Sequence, residues 1–365
     1  MKRSQLTRRE FLSTSKDVAL GAVAGSIGLN AIGCDYISGK PVVSVARIQN
    51  DRIDVAVEKA IDLLGGMGTI TRGKEKIMLK PNLVNARSED TTNPEVVKAL
   101  AMLMKKAGKD VLIGEGSAAA PGFNVKNGES CRTKKKEILD PMQQFVFDEL
   151  GYTELGKSLD VPLVNLHSGE IAEVDIPGAF AFPKMSLHQS LTEVDLLCSV
   201  PMMKTHGLAS VTLGMKNLVG VFPGTAYYSV RWGMHETASA VDPSGTSAAI
   251  VDMVRANRLG LVVIDGSMAM EGQGPSVGYG GKLVKMDVIV AGTNPLATDM
   301  VGAHIMGFEP YEISTFTWAQ KAGMKPTKLE DIEIRSEEPV VRQAFARPEM
   351  LTWAGIRDTF GARVL

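Results

Sequence analysis

Short β-rich runs alternate along this chain with segments of helical periodicity, and this alternation limits the fold more than any other feature. The runs with strand character are residues 42–48, 76–80, 110–115, 161–166, 195–200, 261–265 and 287–291. Several, such as 110–115, 261–265 and 287–291, are continuous apolar runs apart from their terminal residues, as expected for strands buried on both faces. Helical patterns at 53–64 and 94–107 fall between them. The sequence therefore predicts an α/β fold, with a mostly parallel sheet flanked by helices and long Gly/Pro-rich loops at one rim.

Composition and length fit one globular body. Of the 365 residues, 44% are apolar and 22% charged, which excludes a disordered or fibrous chain. Single cores stop growing at roughly 250–300 residues, so the length allows either one large domain or two lobes. Residues 42–365 are predicted to form a single α/β domain, with a division into two lobes left open. The 40 Lys and Arg are balanced by 41 Asp and Glu. No nucleic-acid partner is expected, and any recognition of an anion must be local.

The first 33 residues have the features of an export signal. Arg8 and Arg9, followed by Phe11-Leu12, precede an uncharged stretch at 18–33. As a helix this stretch would be about 24 Å long, short of the roughly 30 Å hydrocarbon core of a bilayer. The segment resembles a twin-arginine signal peptide, which implies recognition by the twin-arginine export machinery and a final location on the periplasmic side. Residues 34–41 are then a linker.

Cys34 follows Ala31-Ile32-Gly33, a sequence that resembles a lipobox. Lipidation of Cys34 would anchor an otherwise soluble protein to a membrane. The alternative is ordinary signal cleavage beside an unmodified cysteine. Beyond Cys34 the chain has only Cys131 and Cys198 and no CxxC pair, so it cannot supply four thiolates, and a self-ligated iron–sulfur cluster is not expected.

Polar side chains follow several of the predicted strands, where each strand ends. In open α/β sheets, ligands bind outside the carboxyl ends of the strands. Parallel strands present these ends at one rim about 4.8 Å apart, so the polar residues should converge. The residues expected to act in catalysis are Lys80, Lys204, His206 and Asp265.

Several short motifs together resemble the domain of unknown function family 362, over about residues 42–310. In chain order they are Lys80-Pro81-Asn82, Glu115-Gly116-Ser117, Lys204-Thr205-His206, Met215-Lys216-Asn217-Leu218-Val219-Gly220, Asp265-Gly266, Met270-Glu271-Gly272-Gln273-Gly274-Pro275 and Asn294-Pro295-Leu296-Ala297-Thr298-Asp299. The resemblance implies a fold and a site rather than a reaction. Some relatives look fused to a ferredoxin-like iron–sulfur segment, and this chain lacks the cysteines of that segment.

The lysines in these motifs indicate an anionic ligand. Lys80, Lys204 and Lys216 gather positive charge beside buried strands, which favours a carboxylate or phosphate. Burial would also lower a lysine pKa, so one of them could serve as a base or a Schiff-base nucleophile. His206 and His235 lie in polar loops and could act as acid, base or metal ligand. The residues expected to bind substrate are Asn82, Glu115, Lys216, Asn217, His235 and Glu271.

The acidic residues of the motifs leave two alternatives open. They could balance the lysines as buried ion pairs, or hold a hard divalent cation together with a histidine. The candidate metal ligands are Glu115, His206, Asp265 and Asp299.

Taken together, the sequence indicates an exported enzyme that acts on a small anionic substrate, with redox and lyase or isomerase chemistry both open. Two alternatives are a non-catalytic, lipid-anchored ligand-binding protein and an accessory partner of an iron–sulfur redox protein.

Overall fold

A large, mostly parallel sheet forms the centre of the protein. The strands of the described residues are β1 (Val42–Arg47), β2 (Lys76–Pro81), β3 (Asp110–Glu115), β4 (Val125–Lys126), β5 (Glu129–Ser130), β6 (Leu163–Asn165), β7 (Ile171–Asp175), β8 (Lys184–His188), β9 (Leu196–Val200), β10 (Met202–His206), β11 (Ser210–Thr212), β12 (Leu259–Gly272), β13 (Gly281–Val284), β14 (Val288–Gly292) and β15 (Glu333–Arg335). Eleven of them form the central sheet, with the path β15-β1-β14-β12-β9-β2-β3-β6 and with β10, β11 and β13 beside it, whereas β4 pairs with β5 and β7 with β8 in separate hairpins. From β12 through β9, β2 and β3 to β6 every pairing is parallel, whereas β14 is antiparallel to both neighbours. The prediction of a mostly parallel sheet is confirmed.

This computed structural model describes residues 39–361 and 363–365. The twin-arginine segment, Cys34 and most of the predicted linker lie outside these residues. In the part of the chain that is described, no helix combines the length and apolar character needed to cross a bilayer.

Helices cover both faces of the sheet. They are α1 (Ile53–Leu63), α2 (Met67–Ile70), α3 (Pro94–Lys106), α4 (Lys136–Glu149), α5 (Tyr152–Leu159), α6 (Ser190–Glu193), α7 (Gly214–Asn217), α8 (Gly224–Tyr227), α9 (Trp232–Ala238), α10 (Ser247–Ala256), α11 (Pro295–Ile305), α12 (Ser314–Lys321) and α13 (Trp353–Gly361). Helices α1, α3, α4 and α5 pack on one face, and α9 to α12 on the other.

Side-chain alternation along the central strands supplies both cores. In β2, Ile77 and Leu79 join the core under α1 and α3, whereas Met78 joins the opposite core. Successive strand residues point to opposite faces, so a continuous apolar run is required when both faces are covered. This is why the strands of this chain lack the alternating polar pattern of a sheet with one exposed face.

The predicted elements differ from the observed ones mainly at the rim. β9 does not end in a loop: the chain passes Pro201 and continues as β10, which pairs with β11 and β12. The Asp265 backbone N–H donates to the Pro201 carbonyl at 2.8 Å, which holds this junction. Lys204 therefore lies on a strand. β12 also runs beyond the predicted strand end at 265 because β13 pairs with its second half, so much of the Gly-rich sequence at 266–284 is a hairpin and not a loop.

Candidate functional site

Lys80 and Glu115 form a buried ion pair at the ends of two adjacent parallel strands, β2 and β3. The Lys80 Nζ lies 2.8 Å from Glu115 Oε2, and the side chains are 0% and 2% exposed. Lys80 also donates to the Pro81 carbonyl at 2.8 Å and to Asn217 Oδ1 at 2.9 Å. Burial lowers the pKa of Lys80, and the Glu115 carboxylate opposes that effect. Lys80 is thus a fully partnered cation.

The same pair is surrounded by fixed hydrogen-bond partners. Glu115 accepts the backbone N–H of Leu83 at 2.9 Å and that of Gly116 at 2.8 Å. Asn217 donates to the Lys80 carbonyl at 2.9 Å, and Asn82 donates to Asn217 Oδ1 at 3.2 Å. Together these contacts make a rigid polar base for the site, built from residues that the sequence assigns to substrate binding and catalysis.

Lys204 is buried and forms no ion pair with any carboxylate among the described residues. Its Nζ donates to the backbone carbonyl of Asp90 at 2.6 Å, and the side chain is 0% exposed. The Asp90 carboxylate is used elsewhere, since it accepts Ser276 Oγ at 2.6 Å and the Val277 N–H at 2.8 Å. Burial lowers the pKa of Lys204 to about 7, although the charges of Asp90 and Glu115 oppose the shift.

Lys216 stands on α7, is partly exposed, and has no hydrogen bond or ion pair to any residue that the structure describes. Burial lowers its pKa to about 7, and the neighbouring cations Lys204, Lys80 and Arg231 lower it further. No acidic side chain opposes these effects. Its amine is therefore about half protonated near pH 7, and it has no counterion among the described residues.

His206 and His235 complete the group and have opposite tautomers. His206 Nδ1 accepts the Leu208 N–H at 3.0 Å, so the neutral ring carries its proton on Nε2. His235 Nδ1 lies 2.9 Å from the Gly245 carbonyl, so this ring donates through Nδ1 and keeps a lone pair on Nε2. Burial and the charge of Lys216 lower both pKa values, that of His235 to about 3.

The lysine–histidine cluster, defined as Lys204, Lys216, His206 and His235, is linked by mutual electrostatic interactions. The charge of Lys216 lowers the pKa of both histidines, and that of Lys204 lowers the pKa of His206 and Lys216. Lys80 acts on both lysines from the base of the site. The structure thus brings Lys80, Lys204, His206, Lys216 and His235 into one cationic region.

A C-terminal segment covers this region. The Leu351 N–H donates to the Gly207 carbonyl at 2.8 Å, just beyond β10. The Trp353 ring stacks on His235 with centroids 4.8 Å apart, and its indole N–H donates to Glu236 at 2.7 Å. Trp353 fixes the orientation of the His235 ring. The sequence analysis missed this residue because nothing in the local pattern links it to a distant loop.

Asp265 does not join the cluster. Its carboxylate accepts the Asn93 N–H at 2.8 Å and the Ser267 hydroxyl at 2.6 Å, at the start of α3. Burial raises the pKa of Asp265. With Asn93 and Ser267 it borders a separate cleft of about 450 Å³. The catalytic role that the sequence suggests for Asp265 has no support from these contacts.

Asp299 and Glu271 each accept hydrogen bonds from backbone N–H groups. Asp299 accepts the N–H groups of Gly214 at 2.7 Å and Met215 at 2.8 Å, which fixes the start of α7. Burial raises the pKa of Asp299 to about 7. Glu271 accepts the Ala346 N–H at 2.9 Å and so fastens the C-terminal segment.

The four candidate metal ligands are not brought together. Within residues 39–361 and 363–365, no three or more His, Cys, Asp or Glu side chains form a group that could hold a metal ion. Glu115 is paired with Lys80, and the hydrogen bonds of Asp265 and Asp299 run to other parts of the fold. Of the two alternatives for the acidic residues, Glu115 follows the ion-pair one.

Arg231 is a second residue that the sequence analysis missed. It is 2% exposed and donates to the carbonyls of Gly116, Val219 and Gly220, with Nε 3.0 Å from the Val219 oxygen. Its backbone adopts a left-handed conformation, with φ of 56°. Burial lowers its pKa to about 10. The signal in the sequence that could have indicated this residue is an arginine inside the Gly-containing segment 220–233.

The fold and this site define an α/β protein with a cationic cluster at one end of a mostly parallel sheet. The family model described as "Domain of unknown function (DUF362)" matches residues 77–304. The chain belongs to this family.

One relative is similar to this chain in sequence, and two solved structures are similar to it in fold. A thylakoid-associated protein of Synechocystis sp. is 28% identical over 273 residues, which are 74% of this chain and 75% of the relative. The lactate racemase apoprotein of Thermoanaerobacterium thermosaccharolyticum superposes with a TM-score of 0.39 at 14% identity, covering 73% of this chain and 57% of the racemase chain. A Thermotoga maritima protein gives a TM-score of 0.36 at 12% identity, covering 78% of this chain and 61% of its own.

Proposed function

We propose that this protein is an enzyme that binds a small organic anion, a carboxylate or phosphate, in the lysine–histidine cluster and transfers protons to and from it. The observation that carries the proposal is that Lys204 and Lys216 interact with each other while neither contacts a carboxylate. Lys80, in the same region, forms an ion pair with Glu115.

The energetic argument rests on that contrast. An ammonium group removed from water costs several kcal/mol unless an opposite charge compensates it. Lys80 is compensated by Glu115, whereas Lys204 and Lys216 have pKa values lowered to about 7 instead. An anionic ligand beside these two lysines would supply the missing charge, and it would favour protonation most strongly at the lysine that contacts its anionic group.

The two histidines favour proton transfer over electron transfer. His206 offers an Nε2–H donor and His235 an Nε2 lone pair, as their Nδ1 contacts require. A hydrogen-bond donor and an acceptor in one cluster suit a lyase or isomerase, where one atom gains a proton while another loses one. Redox chemistry in concert with an iron–sulfur partner protein stays the alternative reaction class.

The export features extend the proposal to location. Arg8 and Arg9 support passage through the twin-arginine export machinery, and Cys34 supports attachment to a membrane on the periplasmic side. A non-catalytic binding protein at the same location would need the lysines but not a pair of histidines with complementary tautomers. Turnover that depends on the histidines distinguishes the two.

Calorimetric titration tests the proposal. We would titrate phosphate and a panel of small carboxylates into the protein and into K204M and K216M. Each substitution should weaken binding tenfold or more, because each removes a charged contact with the anion. A tenfold loss corresponds to about 1.4 kcal/mol. K98M is the matched control, since Lys98 lies on α3 and pairs with Glu95 at the surface. Equal binding by all three variants would contradict the proposal.

A further inference from the structure

We infer that Lys216 is a nucleophile that forms an imine with the carbonyl carbon of its substrate, and that the substrate is therefore an organic anion bearing an aldehyde or ketone, such as a 2-oxo acid. This inference rests on the proposed function, because it assigns the anionic group of the substrate to Lys204. It adds the chemical class of the substrate and a covalent step.

The contacts single out Lys216 among the lysines of the site. The Lys80 Nζ makes three hydrogen bonds, to Glu115, Asn217 and the Pro81 carbonyl. The Lys204 Nζ is held 2.6 Å from the Asp90 carbonyl. Lys216 is bound to none of the described residues, and it alone of the three reaches solvent. A nucleophilic amine needs this freedom, because its lone pair must be unshared and able to approach a carbonyl carbon.

The backbone beneath Lys216 is nevertheless fixed. Asp299 accepts the N–H groups of Gly214 and Met215, the two residues before it. Asn217, the residue after it, donates to the Lys80 carbonyl at 2.9 Å and to Ser199 Oγ at 3.0 Å. The side chain therefore moves from a rigid point, which keeps the amine within reach of one site.

The charges around Lys216 favour the reactive form. Lys204, Lys80 and Arg231 are the charged groups that act on it, and all three are cations. A lysine surrounded by cations in a partly desolvated site loses its proton near neutral pH, which is how a nucleophilic amine is generated without a separate base. Lys204, with Asp90 and Glu115 opposing the loss of its proton, is the better partner for a carboxylate.

The two histidines can assist the proton transfers that the reaction requires. The Lys216 Nζ lone pair attacks the carbonyl carbon, a C–N bond forms, and the π electrons pass to the oxygen, which accepts a hydrogen bond from His206 Nε2–H. The lone pair of His235 Nε2 accepts a proton from the attached nitrogen and passes it to that oxygen. The C–O bond then breaks, and the hydroxyl group leaves as water with the second nitrogen proton, which gives the imine. The overall balance is amine plus carbonyl to imine plus water, with no oxidant or reductant.

Reductive trapping tests the inference. The full chain is incubated with glyoxylate and cyanoborohydride, which would convert the imine into a stable carboxymethyl-lysine, and peptides are mapped by mass spectrometry. We expect modification concentrated at Lys216. K216R keeps a cation but cannot form the imine, so it should lose that modification while still binding glycolate, which has the carboxylate of glyoxylate without its carbonyl. K98R controls for reaction at exposed lysines.

The outcomes separate the two proposals. Modification at Lys216 at least tenfold faster than at Lys98, together with glycolate binding, supports both. Glycolate binding without preferential trapping at Lys216, or with trapping at Lys204 instead, overturns the imine and leaves the anion site. Absence of both overturns the imine and the proposed function together. Circular dichroism of K216R checks that its loss of trapping does not come from unfolding.

Discussion

The Nζ of Lys80 lies 2.8 Å from the Glu115 carboxylate at the end of two neighbouring strands, with both side chains withdrawn from solvent. This pair makes the adjacent lysines unusual by comparison. Lys204 and Lys216 occupy the same region but lack any such counterion. One buried charge is neutralised by the chain itself, and the two beside it are left for a ligand.

Replacing Glu115 by Gln should destabilise the protein by about 3–5 kcal/mol, because removing one partner of a buried ion pair leaves the other charge uncompensated. The unfolding free energy from urea denaturation, monitored by far-ultraviolet circular dichroism, measures this. K285M is the control: it removes an exposed ion pair between Lys285 and Asp51 and should change stability little. A Glu115 variant as stable as the control would mean that the pair is not a supporting contact.

Gly220 is packed against the same pair. A Cβ atom at this position would lie 2.7 Å from Lys80 Nζ, closer than the pair can accommodate without moving. We expect G220A to lower the unfolding free energy by about 1–3 kcal/mol and to weaken anion binding. Gly68, on α2, is the control, because a Cβ atom there would have no other atom within 4 Å and the backbone tolerates a side chain. G68A should be neutral or stabilising, and equal effects of the two substitutions would refute the steric argument.

The sheet could be predicted from sequence because its signal is local. Apolar runs such as 111–114 and 196–198 need no knowledge of distant residues, and β3 is observed at Asp110–Glu115 as expected. β10 was missed because its parallel pairing with β12 depends on residues far along the chain. Pro201 suggests the end of a strand in the sequence, whereas in the structure it lies between β9 and β10, two strands of the same sheet.

The site was harder to predict, because side-chain direction decides it. Lys204 lies on β10 and Asp265 on β12, which pair in parallel, and Met202, two residues before Lys204, pairs directly with Asp265. Even so, the Asp265 carboxylate is held by Asn93 and Ser267. Position at a rim predicts which residues lie near one another, but hydrogen bonding to local backbone decides which of them face a common ligand.

The amino terminus yields a prediction independent of the fold. Changing Arg8 and Arg9 to Lys should block export, because the paired arginines are the feature that the twin-arginine machinery reads. Cell fractionation with immunoblotting measures the periplasmic share. Cys34→Ser should move the protein from the membrane fraction to the soluble periplasmic fraction. Undiminished export of the double Lys variant would contradict the first expectation, and a wild-type protein that is already soluble would contradict the second.

Anion binding should strengthen as the pH falls from about 8 to about 6. Burial lowers the pKa of Lys204 and Lys216 from 10.5 to about 7, so without ligand these groups contribute stability above pH 10.5 that is lost as the pH falls through 7. An anion favours their protonated forms and reverses that loss. Binding near pH 8 should therefore take up protons from the buffer. His235, with a pKa lowered to about 3, does not titrate in this range.

The measurement is calorimetric titration of a carboxylate ligand in two buffers with different ionisation enthalpies, since the difference between them gives the number of protons taken up. A carboxylate is preferred because phosphate itself changes charge within this pH range. Burial also raises the pKa of Asp299 to about 7, but this carboxylate holds the backbone before Lys216, so the lysine variants are used to assign the uptake. The uptake should fall in K204M and in K216M and persist in K98M. An affinity that is constant or rises with pH would contradict proton uptake by the two lysines when the anion binds.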